Sequence, residues 1–239
     1  MLTLQNISWK LPDGEEILKD ISLTVKPGKL TVVTGPNGGG KTSLAKIIAG
    51  IEIPSGGKIL FKGEDITNLD VTERAKKGIS YAFQQPVRFK GLTVRDLLKL
   101  SAGDKLKDSD FCDLLGSVGL CTRDYINREV NASLSGGEIK RIEIATVLVR
   151  DTELSVFDEP EAGIDLWSFS GLIDVFEKQK AKKNRSMLVI SHQERILNIA
   201  DEIIVIADGK VRTQGPKDEI LPTLLKGEKA NYCPLNKEA

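Results

Sequence analysis

The residues whose types and spacing could do chemistry begin with a glycine-rich run that ends in a lysine and a threonine. Residues 35–42 fit the pattern G-x-x-x-x-G-K-[ST], in which glycines let successive backbone N–H groups converge on phosphate oxygens. Lys41 adds a full positive charge, and the hydroxyl of Thr42 can ligate Mg²⁺. We therefore expect a nucleoside triphosphate to bind here through its phosphates. The residues predicted to contact it are Gly35, Pro36, Asn37, Gly38, Gly39, Gly40, Lys41, Thr42 and Ser43.

Two adjacent carboxylates form the second chemical feature. Asp158 and Glu159 follow an apolar run at residues 154–157 that is typical of a buried strand. The carboxyl ends of strands are where α/β sheets bind their ligands. We predict that Asp158 holds the Mg²⁺ of a bound triphosphate and that Glu159 faces the attacking water as general base. Without the upstream glycine-rich run, a helix cap or a turn would explain such a pair equally well.

A second glycine-rich segment lies near the middle of the chain. Ser135 has the chemistry of a helix N-cap, and a helical pattern starts at Glu138. Between them, Gly136 and Gly137 expose backbone N–H groups. The chain therefore has two candidate anion sites, and one terminal phosphate could use both only if they came together. A simple loop before a capped helix is the alternative, and the helix itself stays open because several following residues are β-branched and partly alternate.

The elements that must position these residues alternate between strands and helices. The glycine-rich run follows a predicted strand and precedes a helical pattern that stops at Gly50. Strand patterns occur at residues 2–8, 17–25, 30–33, 59–61, 79–83, 154–157, 187–190, 203–207 and 210–213, the last two joined by a tight Asp208-Gly209 hairpin. Helical patterns occur at residues 66–77, as a short helix or ordered loop, within 92–149, and at 168–182. This alternation predicts an α/β fold with a mainly parallel sheet.

Composition limits the class of protein further. The chain has 239 residues, 40% hydrophobic and 28% charged, so we expect a packed globular core. Lys plus Arg and Asp plus Glu are equal at 34 each, which argues against a general affinity for nucleic acid or anionic lipid. We find neither a signal peptide nor an apolar stretch near the ~20 residues of a membrane span, and expect a cytoplasmic protein. Cys112, Cys121 and Cys233 form no disulfide framework, so we expect buried or idle thiols.

Residues 134–138, Leu-Ser-Gly-Gly-Glu, resemble the signature sequence of ABC-type ATPases. The resemblance implies an α/β P-loop NTPase of the ATP-binding-cassette type, with a mainly parallel core sheet, an antiparallel β subdomain and a helical subdomain. It also implies Mg²⁺-dependent ATP hydrolysis by a head-to-tail dimer, in which the signature of one protomer caps the ATP bound by the other, and it makes the following segment a helix. The capping residues would be Ser135, Gly136, Gly137 and Glu138.

We expect a single nucleotide-binding domain over residues 1–239. Its catalytic core would comprise residues 1–85 and 151–215, and its helical subdomain residues 86–150. The tail, residues 216–239, is weakly informative, and we interpret its end from Lys226 as either disordered or a contact arm.

Smaller elements resemble further parts of the same family. Gln84 resembles the Q-loop glutamine that approaches Mg²⁺ and the attacking water, with Gln85 as the second choice. His192 follows a predicted strand and resembles the switch histidine that touches the γ-phosphate. Asp165 ends a segment similar to the D-loop, which lies along the dimer seam. Trp9 lies where the family often places an aromatic residue that stacks on adenine, although a core or surface tryptophan explains it equally well.

Three segments make the chain similar to the SufC family, the ATPases of Suf-type iron–sulfur cluster assembly. Residues 135–144 resemble that family's S-G-G-E-x-K-R-x-E-I, residues 82–87 its A-F-Q-x-P-V, and residues 192–197 its H-x-x-R-I-L. Gly39 and residues 160–164 depart from the family pattern, and the helical insert is short. These departures suggest a divergent or minimal Suf-type system.

The resemblance also implies the partners. A SufC-like ATPase would act on a soluble SufB- or SufD-like scaffold protein, which ATP-driven dimerisation remodels, and no nucleic acid partner is expected. The competing class is the nucleotide-binding subunit of a membrane transporter, which would grip a permease through the groove beside the Q-loop. A soluble ABC protein of DNA repair or translation fits less well, because such proteins carry long insertions or a duplicated cassette.

Overall fold

The computed structural model describes residues 1–103, 106–107, 109–182 and 184–230. The strands are β1 (Leu2–Lys10), β2 (Glu16–Val25), β3 (Leu30–Thr34), β4 (Gly56–Phe61), β5 (Glu64–Asp65), β6 (Ile79–Ala82), β7 (Leu154–Asp158), β8 (Ser186–Ile190), β9 (Glu202–Ala207) and β10 (Lys210–Pro216). The helices are α1 (Lys41–Ala49), α2 (Val71–Lys76), α3 (Val94–Ala102), α4 (Asp110–Ser117), α5 (Thr122–Tyr125), α6 (Gly136–Val149), α7 (Leu166–Lys180), α8 (Glu194–Ile199) and α9 (Lys217–Ala230).

The strands form a mainly parallel sheet and a smaller antiparallel one. The larger sheet has the strand order β10-β9-β3-β8-β7-β6, and its pairs are parallel except for the β9–β10 hairpin. The smaller sheet has the order β2-β1-β4-β5 with antiparallel pairing. The predicted fold class is therefore confirmed. Parallel order matters for function, because it brings the carboxyl ends of β3, β8, β7 and β6 to one edge.

The central strands of the larger sheet are covered on both faces, and β3, β7 and β8 are therefore buried along their whole lengths. Val32 packs into a core formed mainly with α3, α4, α6 and α7. Its neighbour Val33 points to the other face, into a core shared with β1, β2 and α1. Helix α1 buries the predicted apolar side and ends at Gly50, whose positive φ of 82° closes the helix as expected. The strand that carries the glycine-rich loop is therefore fixed from both sides.

The helical region predicted between residues 92 and 149 is present. Helix α3 begins with a capping box between Thr93 and Asp96, and α6 with one between Ser135 and Glu138. Residues 136–149 are thus a helix, as the family resemblance implied and periodicity did not decide. None of the helices in the described part of the chain combines the length and the apolar composition needed to cross a bilayer.

Several expectations need correction. The helix predicted at about 168–182 spans Leu166–Lys180, whereas residues 66–77, expected as a short helix or an ordered loop, do contain the short helix Val71–Lys76. The weakly informative tail contains a helix that the sequence did not predict, α9 (Lys217–Ala230), which packs against the β9–β10 hairpin, and residues 231–239 lie outside the described residues. Of the expected buried or idle thiols, Cys112 and Cys121 are free and exposed, which excludes the buried alternative for both, and Cys233 lies outside the described residues.

A buried arginine joins α1 to α2, and it gives the first testable prediction. The guanidinium of Arg74 is fully buried and donates to the carbonyls of Thr67 and Leu69 and to the last turn of α1. We expect Arg74→Ala to lower the free energy of unfolding by roughly 3 kcal/mol or more, because several buried acceptors lose a charged donor. Urea unfolding would measure it, with the exposed Lys76→Ala on the same helix as control. Equal effects of the two substitutions would contradict this role.

Candidate active site

The glycine-rich loop joins the carboxyl end of β3 to the N-terminus of α1. Gly35 has a φ of 133°, and a Cβ built on it would lie 2.0 Å from the carbonyl oxygen of Ile206, so only glycine fits there. At the other end of the loop, Gly40 is the N-cap of α1 and makes no side-chain capping bond. The first N–H groups of α1 are therefore left for an anion at the positive end of the helix dipole.

Lys41 lies folded over this loop. Its ammonium Nζ donates to the carbonyl oxygens of Gly35 and Pro36, each at 2.8 Å. Burial lowers the pKa of Lys41, while the nearby carboxylates of Glu159 and Asp158 counteract that shift. A phosphate in the loop would offer the ammonium stronger acceptors than neutral carbonyls. The predicted role of Lys41 thus agrees with its position.

Asp158 ends β7 and is fully buried. Its Oδ1 accepts a hydrogen bond from the Thr42 hydroxyl at 3.3 Å, and its Oδ2 accepts one from the Tyr81 hydroxyl at 3.1 Å. Burial raises the pKa of Asp158, because desolvation disfavours the charged form of its carboxylate. A hydroxyl and a carboxylate oxygen side by side are ligands that Mg²⁺ prefers, and the donor set therefore fits this ion.

Glu159 lies at the centre of the predicted catalytic residues. Its backbone has a positive φ of 44°, and its N–H donates to the carbonyl of Ile190 at the end of β8. Its Oε2 accepts a hydrogen bond from Gln84 Nε2 at 2.8 Å, and its Oε1 lies 3.9 Å from His192 Nε2. Burial and the charge of Lys41 lower the pKa of His192, so the neutral imidazole is favoured. The structure brings the three predicted catalytic side chains together.

A cavity of about 660 Å³ opens beside these groups. Glu159, Gln84 and His192 line it, as do Trp9 and the glycine-rich loop. Gln85, the second choice for the Q-loop glutamine, is not among the described residues that line it. Trp9 lines the same cavity as the glycine-rich loop, and its stacking on adenine stays a prediction. The other lining residues are Leu11, Ile17, Asn37, Gly38, Gly39, Gly40, Lys41, Thr42, Ser43 and Lys46.

The segment of residues 135–138 forms a separate helix start. The Ser135 N–H donates to Glu138 Oε2 at 2.6 Å, and the Glu138 N–H donates back to Ser135 Oγ at 3.3 Å. A hydrogen bond from the Tyr125 hydroxyl is the largest cause that lowers the pKa of Glu138 to about 2, followed by the Ser135 backbone. None of residues 135–138 is among the described residues that line the cavity. The second predicted anion site therefore lies apart from the first within one chain.

The predicted D-loop packs directly on this segment. A Cβ on Gly137 would lie 2.6 Å from the carbonyl oxygen of Gly163, so the first turn of α6 and the D-loop segment touch through their backbones. Asp165 is the N-cap of α7, where its carboxylate accepts from the N–H groups of Trp167 and Ser168. In this structure the carboxylate of Asp165 is thus engaged in capping, and its place at a dimer seam stays a prediction.

The backbone contact between these loops can be tested with two neighbouring glycines. We expect Gly137→Ala to destabilise the chain by roughly 1–3 kcal/mol, because the new methyl group cannot avoid a main-chain oxygen. Gly136→Ala is the matched control, because a Cβ there meets nothing within 4 Å. Chemical unfolding of both variants measures the difference. If both alanine variants lower the free energy of unfolding equally, the start of α6 and the D-loop segment do not make the contact described.

Sequence reasoning missed two residues of the site. The Tyr81 hydroxyl bonds to Asp158, and the raised pKa of Tyr81, caused mainly by burial, keeps the phenol protonated. Lys140 is completely buried, and its ammonium donates to the carbonyls of Phe83, Gln84 and Asp158. A lysine among apolar residues of a predicted helix was the available signal for Lys140, whereas nothing in the local sequence pointed to Tyr81.

Together, these features define a P-loop nucleotide hydrolase, with a phosphate-binding loop and a carboxylate pair at one edge of a parallel sheet. Comparison with known proteins narrows the class. The family model described as "ABC transporter" matches residues 18–162, and the chain belongs to this ABC family and is an ABC-type ATPase.

Full-length relatives agree with that assignment. An uncharacterized ABC transporter ATP-binding protein of Methanocaldococcus jannaschii is 39% identical over 215 residues, covering 87% of this chain and 86% of the relative. A protein of Escherichia coli named as probable ATP-dependent transporter SufC is 32% identical over 230 residues, covering 90% and 92%. The solved dimeric structure of a bacterial ABC transporter cassette superposes with a TM-score of 0.82 at 23% identity, covering 91% of this chain and 99% of that one. The structural likeness shows the fold, and the sequence relatives make the chain a SufC-like ABC ATPase.

Proposed function

We propose that the chain is the ATP-binding and ATP-hydrolysing subunit of a Suf-type iron–sulfur cluster assembly complex. One observation carries the hydrolytic part, namely that the Glu159 carboxylate contacts Gln84 and lies near His192 beside the glycine-rich loop. The assembly part is supported by the likeness to the SufC protein of E. coli and by the S-G-G-E-x-K-R-x-E-I segment at residues 135–144.

The phosphates of ATP are bound first. Lys41 and the N-terminal N–H groups of α1 would hold the β- and γ-phosphates and neutralise part of their charge. Thr42 and Asp158 would hold Mg²⁺, with the amide oxygen of Gln84 as a further ligand. Such an ion would supply further positive charge against the phosphates. Trp9 lines the same cavity and is the candidate residue to stack on the adenine ring.

Hydrolysis then requires an oriented water. We infer that Glu159 accepts the proton of a water whose oxygen attacks the γ-phosphorus, while the bond to the β–γ bridging oxygen breaks and ADP leaves. Gln84 holds the Glu159 carboxylate through its amide N–H, and the neutral His192 lies on the other side. Both side chains are thus placed to respond to the presence of the γ-phosphate.

A second copy of the chain completes the proposed site. Residues 135–138 lie at the positive end of α6 but do not line the cavity of their own chain. In a head-to-tail dimer they would cap the γ-phosphate bound by the partner subunit, with Asp165 near the seam. ATP would then act as the ligand that joins two copies, and hydrolysis would release them.

The scaffold protein is proposed to dock in a groove between β6 and the helices α3 and α6. This groove holds a cavity of about 200 Å³. Phe83, Val87 and Phe89 line it and are each more than a third exposed, which suits an apolar segment of a SufB- or SufD-like partner in the cytoplasm. A transporter permease would use the same groove, so the groove alone does not choose between the two partners.

Co-purification distinguishes these partners. The tagged full-length chain should recover a soluble SufB- or SufD-like protein from a detergent-free lysate of its source. Val87→Asp should abolish that recovery, whereas Ile53→Asp, at an equally apolar position outside the groove and 65% exposed, should not. Recovery only from membranes, together with a polytopic protein, would replace the assembly role by transport.

A further inference from the structure

Helix α6 places one positive charge in the interior of the molecule. The side chain of Lys140 has 0% exposure, one turn after the N-terminus of the helix. Its ammonium donates to the carbonyl oxygens of Phe83, of Gln84 at 3.2 Å and of Asp158 at 3.3 Å. These carbonyls belong to the segment after β6 and to the end of β7. One side chain therefore joins α6 to the main chain on both sides of the reaction centre.

Glu143 lies three residues further along the same helix and completes this contact. Its Oε1 accepts a hydrogen bond from the Phe83 N–H at 2.9 Å, and its Oε2 lies 3.5 Å from Lys140 Nζ. Lys140 and Glu143 together bind both the N–H and the C=O of Phe83. The residue that follows is Gln84, whose amide reaches Glu159. The Lys140–Glu143 pair therefore fixes the peptide that leads into the predicted Q-loop.

Other charged groups also face Lys140. Asp158 and Glu161 act on it electrostatically, and the Glu161 carboxylate accepts a hydrogen bond from the Ser191 hydroxyl at 2.5 Å. Ser191 precedes His192 in the chain. Burial lowers the pKa of Lys140 and raises the pKa of Glu143, so desolvation disfavours both charges. The ammonium is thus surrounded by segments that carry Gln84, Asp158 and His192.

The Lys140–Glu143 ion pair is not expected to add much to the stability of the fold. Replacing a buried ion pair by apolar side chains of similar volume is often neutral or stabilising, whereas removing one partner is costly. An apolar pair would fill the same space on α6, but it could not hold three carbonyls and one N–H group in fixed positions. What the charges add is the placement of main chain next to reacting groups.

We propose that Lys140 and Glu143 are a positioning pair for ATP hydrolysis. They fix the backbone at Gln84 and Asp158, so that the Gln84 amide meets Glu159, and they tie this geometry to the orientation of α6. The same helix starts at the signature residues, so its orientation and the reaction centre change together. This inference rests on the hydrolytic part of the proposed function and is independent of which partner protein the chain serves.

The test compares single and double variants of the full-length chain with Mg·ATP and no partner. We expect Lys140→Met to lower kcat roughly 10- to 100-fold, because small displacements of positioned groups cost that much. The Kd for ATP should change by less than about threefold, since the glycine-rich loop and Lys41 are untouched. Glu143→Gln, which keeps an acceptor for Phe83, should lower kcat less than Lys140→Met.

The double variant Lys140→Met/Glu143→Leu separates positioning from folding. It removes both charges, so its thermal unfolding should return to that of the wild type or exceed it. Its kcat should nevertheless stay about as low as that of Lys140→Met, because the two residues act as one unit. Recovery of wild-type kcat in the stable double variant would show that the pair only supports the fold and would overturn the proposal.

A second lysine–glutamate pair supplies the matched control. Lys62 and Glu153 are 2.7 Å apart and about half exposed. Lys62→Met/Glu153→Leu should leave kcat unchanged within about twofold, because exposed ion pairs contribute little. Failure of the two proposals is distinguishable. A wild-type chain that does not hydrolyse ATP contradicts the hydrolytic function, whereas a fast double variant contradicts only the positioning role.

Discussion

Glu159→Gln should lower ATP turnover by roughly 10²- to 10⁴-fold while ATP still binds, the range by which a positioned general base contributes. Glutamine has the shape of glutamate and can still contact the Gln84 amide, but it does not accept a proton from water. The glycine-rich loop, Lys41 and Asp158 are unchanged, so the phosphates should be held as before. ATP that binds and is not hydrolysed should keep two chains joined, and an ATP-bound dimer should accumulate.

Three measurements on the same preparation check this expectation. Phosphate release gives turnover, equilibrium titration gives the ATP affinity, and analytical ultracentrifugation with ATP gives the dimer fraction. Glu177→Gln, an exposed carboxylate on α7, is the control and should behave as the wild type. Near-normal turnover of Glu159→Gln would remove Glu159 from the base role. If Glu159→Gln binds ATP without turnover but stays monomeric, Glu159 keeps its role as general base and the proposed ATP-bound dimer is contradicted.

Strand order explains why so much of the candidate site could be predicted. β3, β8, β7 and β6 are neighbours in a parallel sheet, so the residues that follow their carboxyl ends meet at one edge. The glycine-rich loop follows β3, His192 follows β8, Glu159 follows β7 and Gln84 follows β6. Each follows an apolar run, and the family resemblance picked out Gln84 and His192 as the residues concerned. The observed contacts of Glu159 with Gln84 and His192 are what that rule predicts.

The parts that were missed depend on contacts distant in sequence. The Tyr81 hydroxyl meets Asp158 across 77 positions, and Lys140 meets Phe83 across 57. Only Lys140 had a local signal, a lysine among apolar residues, and for both residues the burial of the polar side chain is decided by the elements that pack on it. The tail was missed for a related reason. Helix α9 contains Pro222, and it is held by Ile220 and Leu221 packed into the core rather than by its helix propensity.

The signature helix shows tertiary structure deciding an ambiguous local pattern. Residues 136–149 include several β-branched side chains, which favour strands in isolation. In the structure, Ile142, Ile144 and Val147 are buried, and the Ser135–Glu138 capping box fixes the first turn. Burial of these side chains and a cap at the start outweigh a modest propensity penalty of at most ~0.7 kcal/mol per residue. The family resemblance gave the correct answer here because it carries that tertiary information.

Lys41→Ala should weaken ATP binding itself, by roughly 10²-fold or more, because the phosphates lose a charge-assisted donor worth about 3 kcal/mol. Equilibrium titration with ATP measures the effect, and the exposed Lys58→Ala is the control.

The pH dependence of ATP binding gives this prediction a second, independent signature. Burial lowers the pKa of Lys41, so its charge is lost at a lower pH than that of an ordinary lysine. Bound phosphate favours the charged form, and the affinity of the wild type for ATP should therefore fall as the pH rises through the lowered pKa. Lys41→Ala has no such group, so its weak binding should lose this alkaline decline. Full ATP affinity in Lys41→Ala, or an alkaline decline that survives the substitution, would count against assigning residues 35–42 to the phosphates.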